Sequence, residues 1–266
     1  MKNIKTIVFD LDGTIYQNNH FHPYYIHFLL EGSDKRRWEK DLICLVDDIF
    51  TGKHLVMNSY YATAEIKADT FEDYVHTLED ALLSRLTFED SILRRDVIFL
   101  GDAWSVVSLI GSTLGLLKNG RDNEVYKKTR NRMSADGMAG HMRLKEAILE
   151  LGKRYETVLL TNSYEETALD FLAQLDFRDV FQKTIYSASK PYGLVQNLSR
   201  YCPQLLTCPE TFLTIGDHAY NDLLPLQQLG CKALWINPFE NIHEAEADMR
   251  VHTLDELAEC LECMCQ

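Results

Sequence analysis

The sequence contains no long hydrophobic run. The uncharged stretch 103–117 is shorter than the roughly 20 apolar residues that a membrane-spanning helix requires, and it includes serine, threonine and glycine. We therefore predict that this stretch forms a buried helix. The first nine residues hold only a brief apolar run before the acidic Asp10, which is not the pattern of a secretory signal peptide.

Basic residues are also in short supply. The 266 residues include 27 Lys and Arg against 40 Asp and Glu, which gives a formal net charge of −13. Binding to nucleic acid or to anionic membranes rewards a basic surface, so this balance disfavours both kinds of partner and favours a small-molecule substrate. The apolar content of 46% is ample for a sizeable globular core.

The seven cysteines lack the tight, even spacing of a disulfide framework. Reduced thiols in a cytoplasmic protein are the simplest account of them. Three cysteines crowd residues 260–265 and could bind a soft metal, but no second pair of ligands completes a zinc site. Leucines at helical spacing over 254–261 instead predict that this segment is an amphipathic helix.

No internal repeat, low-complexity tract or proline-rich linker interrupts the chain. Short apolar runs predict strands at 6–9, 157–160, 183–186, 212–215 and 233–236. The stretches between the later runs predict helices at 142–154, 165–175, 192–201 and 221–229. Strands separated by such helices specify a parallel sheet covered on both faces, so the pattern predicts an α/β protein.

The regular alternation begins only after Gly140, and the segment before it has a different character. Apolar residues at helical spacing predict helices at 35–50, 72–86 and 106–117. The polar stretch 121–140 reads as a return hinge. We therefore predict two domains: an α/β core formed by residues 1–17 and 139–266, and a mainly helical insertion over residues 18–138.

Two carboxylates meet at the end of the first predicted strand. Side chains two residues apart on an extended chain point to the same face, so Asp10 and Asp12 can converge on one site while Leu11 turns toward the core. Adjacent anions are unfavourable without a cation between them, and carboxylate oxygens are the ligands that Mg²⁺ prefers. This motif predicts metal-assisted chemistry on an anionic substrate.

Polar residues follow the next two predicted strands as well. Thr161 and Asn162, after the strand at 157–160, supply a hydroxyl, an amide and backbone N–H groups that suit phosphate oxygens. Lys190 lies in a loop stiffened by Pro191, and its ammonium is a compact charge that could neutralise a phosphoryl group.

A fourth motif follows the strand at 212–215. Asp217 is placed to complete a metal site, and Asn221 and Asp222 begin the next predicted helix. Each of the four motifs taken alone is more simply read as a turn, a helix cap or a solvated loop. Ligands of open α/β sheets bind outside the carboxyl ends of the strands, so four motifs at four strand ends together predict one site.

These motifs resemble those of the haloacid dehalogenase-like (HAD) superfamily, in particular its aspartate-nucleophile phosphatases. The matching residues are Asp10-Leu11-Asp12-Gly13-Thr14, Thr161-Asn162-Ser163, Lys190-Pro191, and Gly216-Asp217 followed by Asn221-Asp222. The resemblance covers the predicted core, and the insertion is similar to the family's helical cap in its commonest location. It implies a Rossmann-like parallel sheet with helices on both faces, plus a mainly α-helical cap domain.

The resemblance also implies a two-step phosphoryl transfer that depends on Mg²⁺. Asp10 would attack phosphorus and form an aspartyl-phosphate, and Asp12 would protonate the leaving group and then activate water. The metal would be held by the side chains of Asp10 and Asp217 and by the backbone carbonyl of Asp12.

The remaining motif residues would act on the phosphoryl group or behind it. The resemblance implies that Thr161 and Lys190 bind phosphoryl oxygens, with backbone N–H groups near Leu11 and Asn162 assisting. Asp222 would orient Lys190 or a metal-bound water, and Asn221 would share that supporting role.

Several readings stay open at this level. Asp12 favours phosphate chemistry over halide displacement, because a halide leaving group needs no proton, but the motif does not separate a phosphatase from a phosphomutase. A nucleotide, a sugar phosphate and phosphoglycolate are all possible substrates. A receiver-type signalling domain is disfavoured by the motif order. A catalytically silent binding protein is disfavoured because Asp10, Asp12 and Asp217 are all present.

Residues next to the first motif give a weaker signal. His20, His22 and His27 could reach a substrate, but closely spaced histidines are more often partly exposed helix residues. Tyr16 and Gln17 are expected in the turn that leads into the insertion. There an aromatic ring could stack on a base or sugar, or could simply pack at a hinge.

Overall fold

The computed structural model describes residues 3–17, 20–92 and 94–265. The strands in chain order are β1 (Thr6–Phe9), β2 (Ser59–Ala62), β3 (Val97–Leu100), β4 (Glu156–Leu160), β5 (Lys183–Ile185), β6 (Phe212–Gly216), β7 (Lys232–Ile236) and β8 (Met249–Val251). The α-helices are α1 (His22–Leu29), α2 (Glu39–Phe50), α3 (Phe71–Glu79), α4 (Phe88–Ile92), α5 (Ala103–Thr113), α6 (Arg121–Asp136), α7 (Met142–Leu151), α8 (Glu165–Gln174), α9 (Leu194–Tyr201), α10 (Leu224–Gln227) and α11 (Leu254–Met264). Over the described residues, no helix combines the length and the apolar character needed to cross a lipid bilayer.

A six-stranded parallel sheet organises the larger part of the chain, with strand order β5-β4-β1-β6-β7-β8. The central strand β1 pairs on both sides, so that Thr6 lies opposite Glu156 of β4 and Phe212 of β6. Its residues are buried throughout. Both faces of a parallel sheet are covered by helices, which is why its strands are continuous apolar runs. The predicted α/β fold is confirmed.

The sequence prediction placed most of these strands within one residue, but it missed β8 at the sheet edge. This strand has only three residues, and the charged Arg250 in its middle interrupts any apolar run. The helix predicted at 221–229 is also different. A π-helical turn spans Ala219–Leu223, and α10 follows it, with Pro225 in the first turn, where a missing N–H is tolerated.

The chain divides into two compact units. Within the described residues, unit 1 contains 3–17, 136–238 and 245–265, and unit 2 contains 20–135 and 239–244. Unit 1 holds the parallel sheet. Unit 2 holds the helices α1 to α6, and an antiparallel pair of strands, β2 and β3, that the sequence analysis did not predict.

Residues 239–244 belong to unit 2, although the sequence analysis assigned them to the core. The backbone N–H of Met57 donates to the carbonyl of Asn241 at 2.8 Å. The side-chain amide of Asn241 donates to the carbonyl of Leu55 at 3.0 Å. These bonds join residues 184 and 186 positions apart in the chain, which local sequence patterns cannot reveal.

The predicted return hinge at 121–140 is wrong over most of its length, because α6 occupies residues 121–136. The helix is mostly polar, and it buries only a narrow stripe that includes Val125, Thr129 and Met133, spaced four residues apart. The guanidinium of Arg121 donates to the carbonyls of Phe28, Leu29 and Glu31 at 3.2, 3.1 and 2.6 Å, and so satisfies the end of α1.

Candidate active site

Unit 1 brings the motif residues to the carboxyl ends of neighbouring strands. Asp10 follows β1, Thr161 follows β4 and Asp217 follows β6, and these three strands are adjacent in the sheet. Because the strands are parallel, their carboxyl ends lie at the same edge. The order of the strands in the sheet therefore brings together side chains that are more than 200 residues apart in the sequence.

A buried ion pair network centres on Lys190. Its Nζ lies 2.5 Å from Oδ1 of Asp10 and 2.6 Å from Oδ1 of Asp222. The three side chains are only 5%, 9% and 4% exposed, respectively. Charges so far removed from water require partners of opposite sign, and Lys190 provides one for both carboxylates.

Burial shifts the pKa of a carboxyl group and the pKa of an ammonium group in opposite directions. Burial raises the pKa of the Asp10 carboxyl, and the opposing charge of Lys190 does not cancel this increase. Burial alone would lower the pKa of Lys190, but the charges of Asp10 and Asp222 outweigh it and hold that pKa well above its ordinary value. The lysine is therefore a fixed positive charge in this site.

Three buried carboxylates converge beside this lysine. One oxygen from each of Asp10, Asp217 and Asp222 lies within 4.8 Å of the other two. A single ammonium leaves this group with an excess of buried negative charge. Hard oxygen donors with uncompensated charge suit a hard divalent cation, so the residues present fit Mg²⁺.

Gly13 makes room for Asp217. It has a φ of +78°, and a Cβ at this position would stand 1.9 Å from Oδ2 of Asp217. Only glycine combines that backbone conformation with so close an approach. On the other side, the indole N–H of Trp235 donates to the backbone carbonyl of Asp217 at 2.7 Å and fixes its position.

The fourth motif is folded tightly around Asp222. Its Oδ2 accepts a hydrogen bond from the backbone N–H of His218 at 3.1 Å, and its carbonyl accepts one from the Thr214 hydroxyl at 2.8 Å. A Cβ at Gly216 would stand 2.4 Å from Cβ of Asp222. Asn221 lies in the same turn, where its backbone N–H donates to Nδ1 of His218 at 3.2 Å.

The second and third motifs are joined through Asn162. Its Oδ1 accepts a hydrogen bond from the backbone N–H of Lys190 at 2.7 Å, and its Nδ2 donates to the Lys190 carbonyl at 3.2 Å. This reciprocal pair fixes the loop that carries the lysine. Thr161 is 1% exposed, and its hydroxyl accepts from the backbone N–H of Ser163 at 3.0 Å.

The carboxylate of Asp12 has two hydroxyl partners that the sequence analysis did not identify. The Tyr16 hydroxyl donates to Oδ1, and the Ser163 hydroxyl donates to Oδ2 at 3.1 Å. Tyr16 is 5% exposed, which favours the packed interpretation of this residue over an exposed stacking platform. Its position four residues after Asp12, in a turn containing Gly13, was the available signal.

The three histidines after the first motif lie in unit 2 and are not all alike. His22 is buried, with Nε2 3.1 Å from Oδ1 of Asp47, and Nδ1 of His27 lies 2.8 Å from Oε1 of Glu39. His20 is exposed. The interactions of His22 and His27 join α1 to α2, and His22 is buried rather than partly exposed as the sequence analysis expected.

Comparison with known proteins gives a family and a set of related folds. The family model of the haloacid dehalogenase-like hydrolases matches residues 4–230. No curated protein sequence matches the chain.

Solved structures of similar fold cover almost the whole chain. The HAD-hydrolase YfnB from Bacillus subtilis, bound to magnesium, is 19% identical, with a TM-score of 0.59 over 97% of this chain and 99% of its own. A protein described as a phosphatase from Clostridium difficile is 14% identical, with a TM-score of 0.53 over 98% and 100%. One described as a beta-phosphoglucomutase from Thermotoga maritima is 13% identical, with a TM-score of 0.51 over 97% and 99%. At these identities the likeness concerns the fold.

Proposed function

Because the chain belongs to the haloacid dehalogenase-like hydrolases, we propose that it is a Mg²⁺-dependent phosphatase that acts through an aspartyl-phosphate intermediate. The observation that carries this proposal is the buried group of Asp10, Lys190, Asp217 and Asp222 at the carboxyl edge of the sheet. The substrate is a small phosphorylated metabolite, of the nucleotide, sugar phosphate or phosphoglycolate kind.

In the first step, the Asp10 carboxylate attacks phosphorus and the bond from phosphorus to the leaving oxygen breaks. Lys190 supports the attack, since its positive charge favours the ionised form of Asp10 against the effect of burial. The same ammonium, with the Thr161 hydroxyl and the backbone N–H of Asn162, binds the phosphoryl oxygens. The Asn162 side chain holds the lysine loop in place.

Asp10, Asp217 and the backbone carbonyl of Asp12 would hold the metal. When bound, Mg²⁺ supplies Lewis-acid stabilisation of the charge on the phosphoryl group. Asp222 supports this arrangement from behind, because it fixes the Lys190 ammonium at 2.6 Å. Asn221 shares the turn that positions Asp222.

Asp12 carries the protons. It donates a proton to the leaving oxygen as the first bond breaks, and the alcohol departs. It then takes a proton from the water that attacks the phosphorus of the aspartyl-phosphate, and the bond between phosphorus and the Asp10 oxygen breaks. Inorganic phosphate is released, and Asp10 and Asp12 return to their starting states. An acid at this position is needed for an oxygen leaving group but not for a halide, which favours phosphate chemistry.

The same residues would serve a phosphomutase, in which a second substrate hydroxyl takes the place of water. We prefer hydrolysis as the simpler reaction. A catalytically silent binding or regulatory protein is the alternative of another class, and the intact set of Asp10, Asp12 and Asp217 speaks against it. We place the protein in the cytoplasm, because its seven cysteines are free thiols, which persist in reducing compartments.

The test is phosphate release from 4-nitrophenyl phosphate in the presence of Mg²⁺. The Asp10→Asn variant keeps the shape of the side chain but cannot act as a carboxylate nucleophile, so we expect turnover to be abolished. Turnover that survives this change would remove Asp10 as the nucleophile. A panel of phosphorylated metabolites, assayed in the same way, identifies the substrate class.

A further inference from the structure

The Asp12 carboxylate is held at both of its oxygens by neutral side chains of unit 1. Oδ1 accepts from the Tyr16 hydroxyl, and Oδ2 accepts from the Ser163 hydroxyl at 3.1 Å. Asp12 itself is only partly buried. Its orientation is therefore set by specific partners rather than by close packing on all sides.

Both hydroxyls stand on fixed supports. The ring of Tyr16 packs edge-on against Phe171, with centroids 5.9 Å apart and an interplanar angle of 71°. Its backbone carbonyl accepts from the N–H of Gly13 at 3.0 Å, which closes the turn between Asp12 and Tyr16. A phenol held in this way has little freedom to leave the carboxylate.

Ser163, which belongs to the second motif, is also held in place by hydrogen bonds of its backbone. It is 6% exposed, its backbone N–H donates to the Thr161 hydroxyl at 3.0 Å, and its carbonyl accepts from the N–H of Ser187 at 3.1 Å. The two partners of Asp12 therefore come from separate segments of the chain, one after β1 and the other after β4. Together they restrain the carboxylate from two directions.

We propose that Tyr16 and Ser163 are positioning residues that hold the Asp12 carboxyl in line for proton transfer to and from the substrate oxygen. This inference rests on the function proposed above and deepens it. Hydroxyl groups suit the task because each can donate to a carboxylate or accept from a carboxylic acid. Lysine or arginine in their place could only donate, and would hold Asp12 in one charge state.

The consequence is a dependence on the leaving group. A poorly stabilised leaving oxygen needs a proton as its bond to phosphorus breaks, whereas 4-nitrophenolate departs readily without one. Loss of positioning at Asp12 should therefore slow phenyl phosphate much more than 4-nitrophenyl phosphate. The two esters have nearly the same shape, so binding differences contribute little to the comparison.

The test measures kcat/KM of Tyr16→Phe and Ser163→Ala for both esters with Mg²⁺ present. Phenylalanine retains the ring contact with Phe171 and removes only the hydroxyl. We expect kcat/KM for phenyl phosphate to fall about 10-fold or more, a part of the roughly 10²- to 10⁴-fold that a general acid contributes. The fall for 4-nitrophenyl phosphate should be several times smaller. An equal fall for both esters, or no fall, would overturn the inference.

Tyr155→Phe is the matched control. The Tyr155 hydroxyl, also in unit 1, donates to the carbonyl of Met264 at 3.2 Å. Tyr155 directly precedes β4, so it lies at the amino ends of the strands, away from the proposed site at their carboxyl ends. Its removal should leave both values of kcat/KM unchanged. Thermal unfolding of every variant checks that the fold is retained. If Tyr16→Phe does not fold, the comparison of the two esters with Ser163→Ala still tests the inference.

A double-mutant cycle with Asp12→Ala separates positioning from a general structural role. Single-turnover release of 4-nitrophenolate, with enzyme in excess, reports the first step alone. If Tyr16 acts through Asp12, then Tyr16→Phe should cause no further loss in the Asp12→Ala background. An equal loss in both backgrounds would contradict the inference while leaving the phosphatase activity intact. A wild-type protein that hydrolyses neither ester would remove both proposals before any variant is compared.

Discussion

Gly13 and Asp217 approach each other so closely that a single added methyl group at Gly13 would stand 1.9 Å from Oδ2 of the aspartate. The two residues come from the first and fourth motifs, and they meet because β1 and β6 are neighbours in the sheet. The glycine is therefore as much a part of the proposed metal site as the carboxylates are.

We expect Gly13→Ala to displace Asp217 and to weaken Mg²⁺ binding strongly. Titration with Mg²⁺ followed by calorimetry measures the effect. Gly137→Ala is the control, because Gly137 has a similar φ of +82° and, its chain neighbours aside, no atom of the described residues lies within 4 Å of its Cβ position. Both substitutions strain the backbone by about 1 kcal/mol or more, so a difference between them isolates the clash. Equal Mg²⁺ affinities in the two variants would contradict this account.

Lys190→Met should destabilise the protein by about 3–5 kcal/mol in the absence of metal, the usual loss when one partner of a buried ion pair is removed. The carboxylates of Asp10 and Asp222 would be left without their cation. Urea unfolding in the presence of a chelator measures the change. Lys153→Met, in which an exposed lysine loses its contact with Glu150, should change stability little. The prediction fails if the two variants are equally stable.

Mg²⁺ should stabilise the folded protein, since the unfolded chain does not gather the carboxylates. Binding to the native state alone adds about 2.7 kcal/mol at a metal concentration 100 times the dissociation constant. We expect the melting temperature of the wild-type protein to rise with Mg²⁺ concentration. Asp217→Asn should abolish this rise, while Asp170→Asn, at an exposed position in α8, should retain it. A rise that persists in Asp217→Asn would place the metal elsewhere.

The cysteines should differ in their reaction with iodoacetamide. Burial raises the pKa of Cys202 to about 11 and that of Cys231 to about 12. Only the thiolate reacts, so these two thiols should be nearly inert at pH 8 and should react faster only as the pH rises toward those values. The exposed Cys44, Cys208 and Cys263 should be alkylated first, which mass spectrometry of peptides can follow. Early labelling of Cys202 in the folded protein would contradict this order.

The central strands could be predicted from the sequence because a strand buried on both faces is a continuous apolar run. The residues of β1 are all apolar except Thr6, β6 is buried throughout, and β4 is buried in all but its first residue. The motif residues after β1, β4 and β6 could be located for the same reason, since each follows such a strand. Their catalytic roles stay predictions until the variants above are measured.

Other features depend on contacts that no local pattern carries. The strands β2 and β3 pair across more than 30 residues, and α6 buries only a narrow stripe beneath a polar surface. The hydroxyl of Tyr16 is a further example, because its sequence position allowed either packing or stacking. Its bond to Asp12 became evident only from the three-dimensional turn.

Residues 239–244 have a practical consequence for dissecting the protein. Phe239, only 5% exposed, packs its ring 5.5 Å from that of Phe50, and Asn241 bonds to Leu55 and Met57. Excising 20–135 as one contiguous block would strip this short segment of its neighbours and leave an aromatic side chain in water. A minimal catalytic half of the molecule therefore requires two separate edits to the gene, the second of which replaces 239–244 with a polar linker.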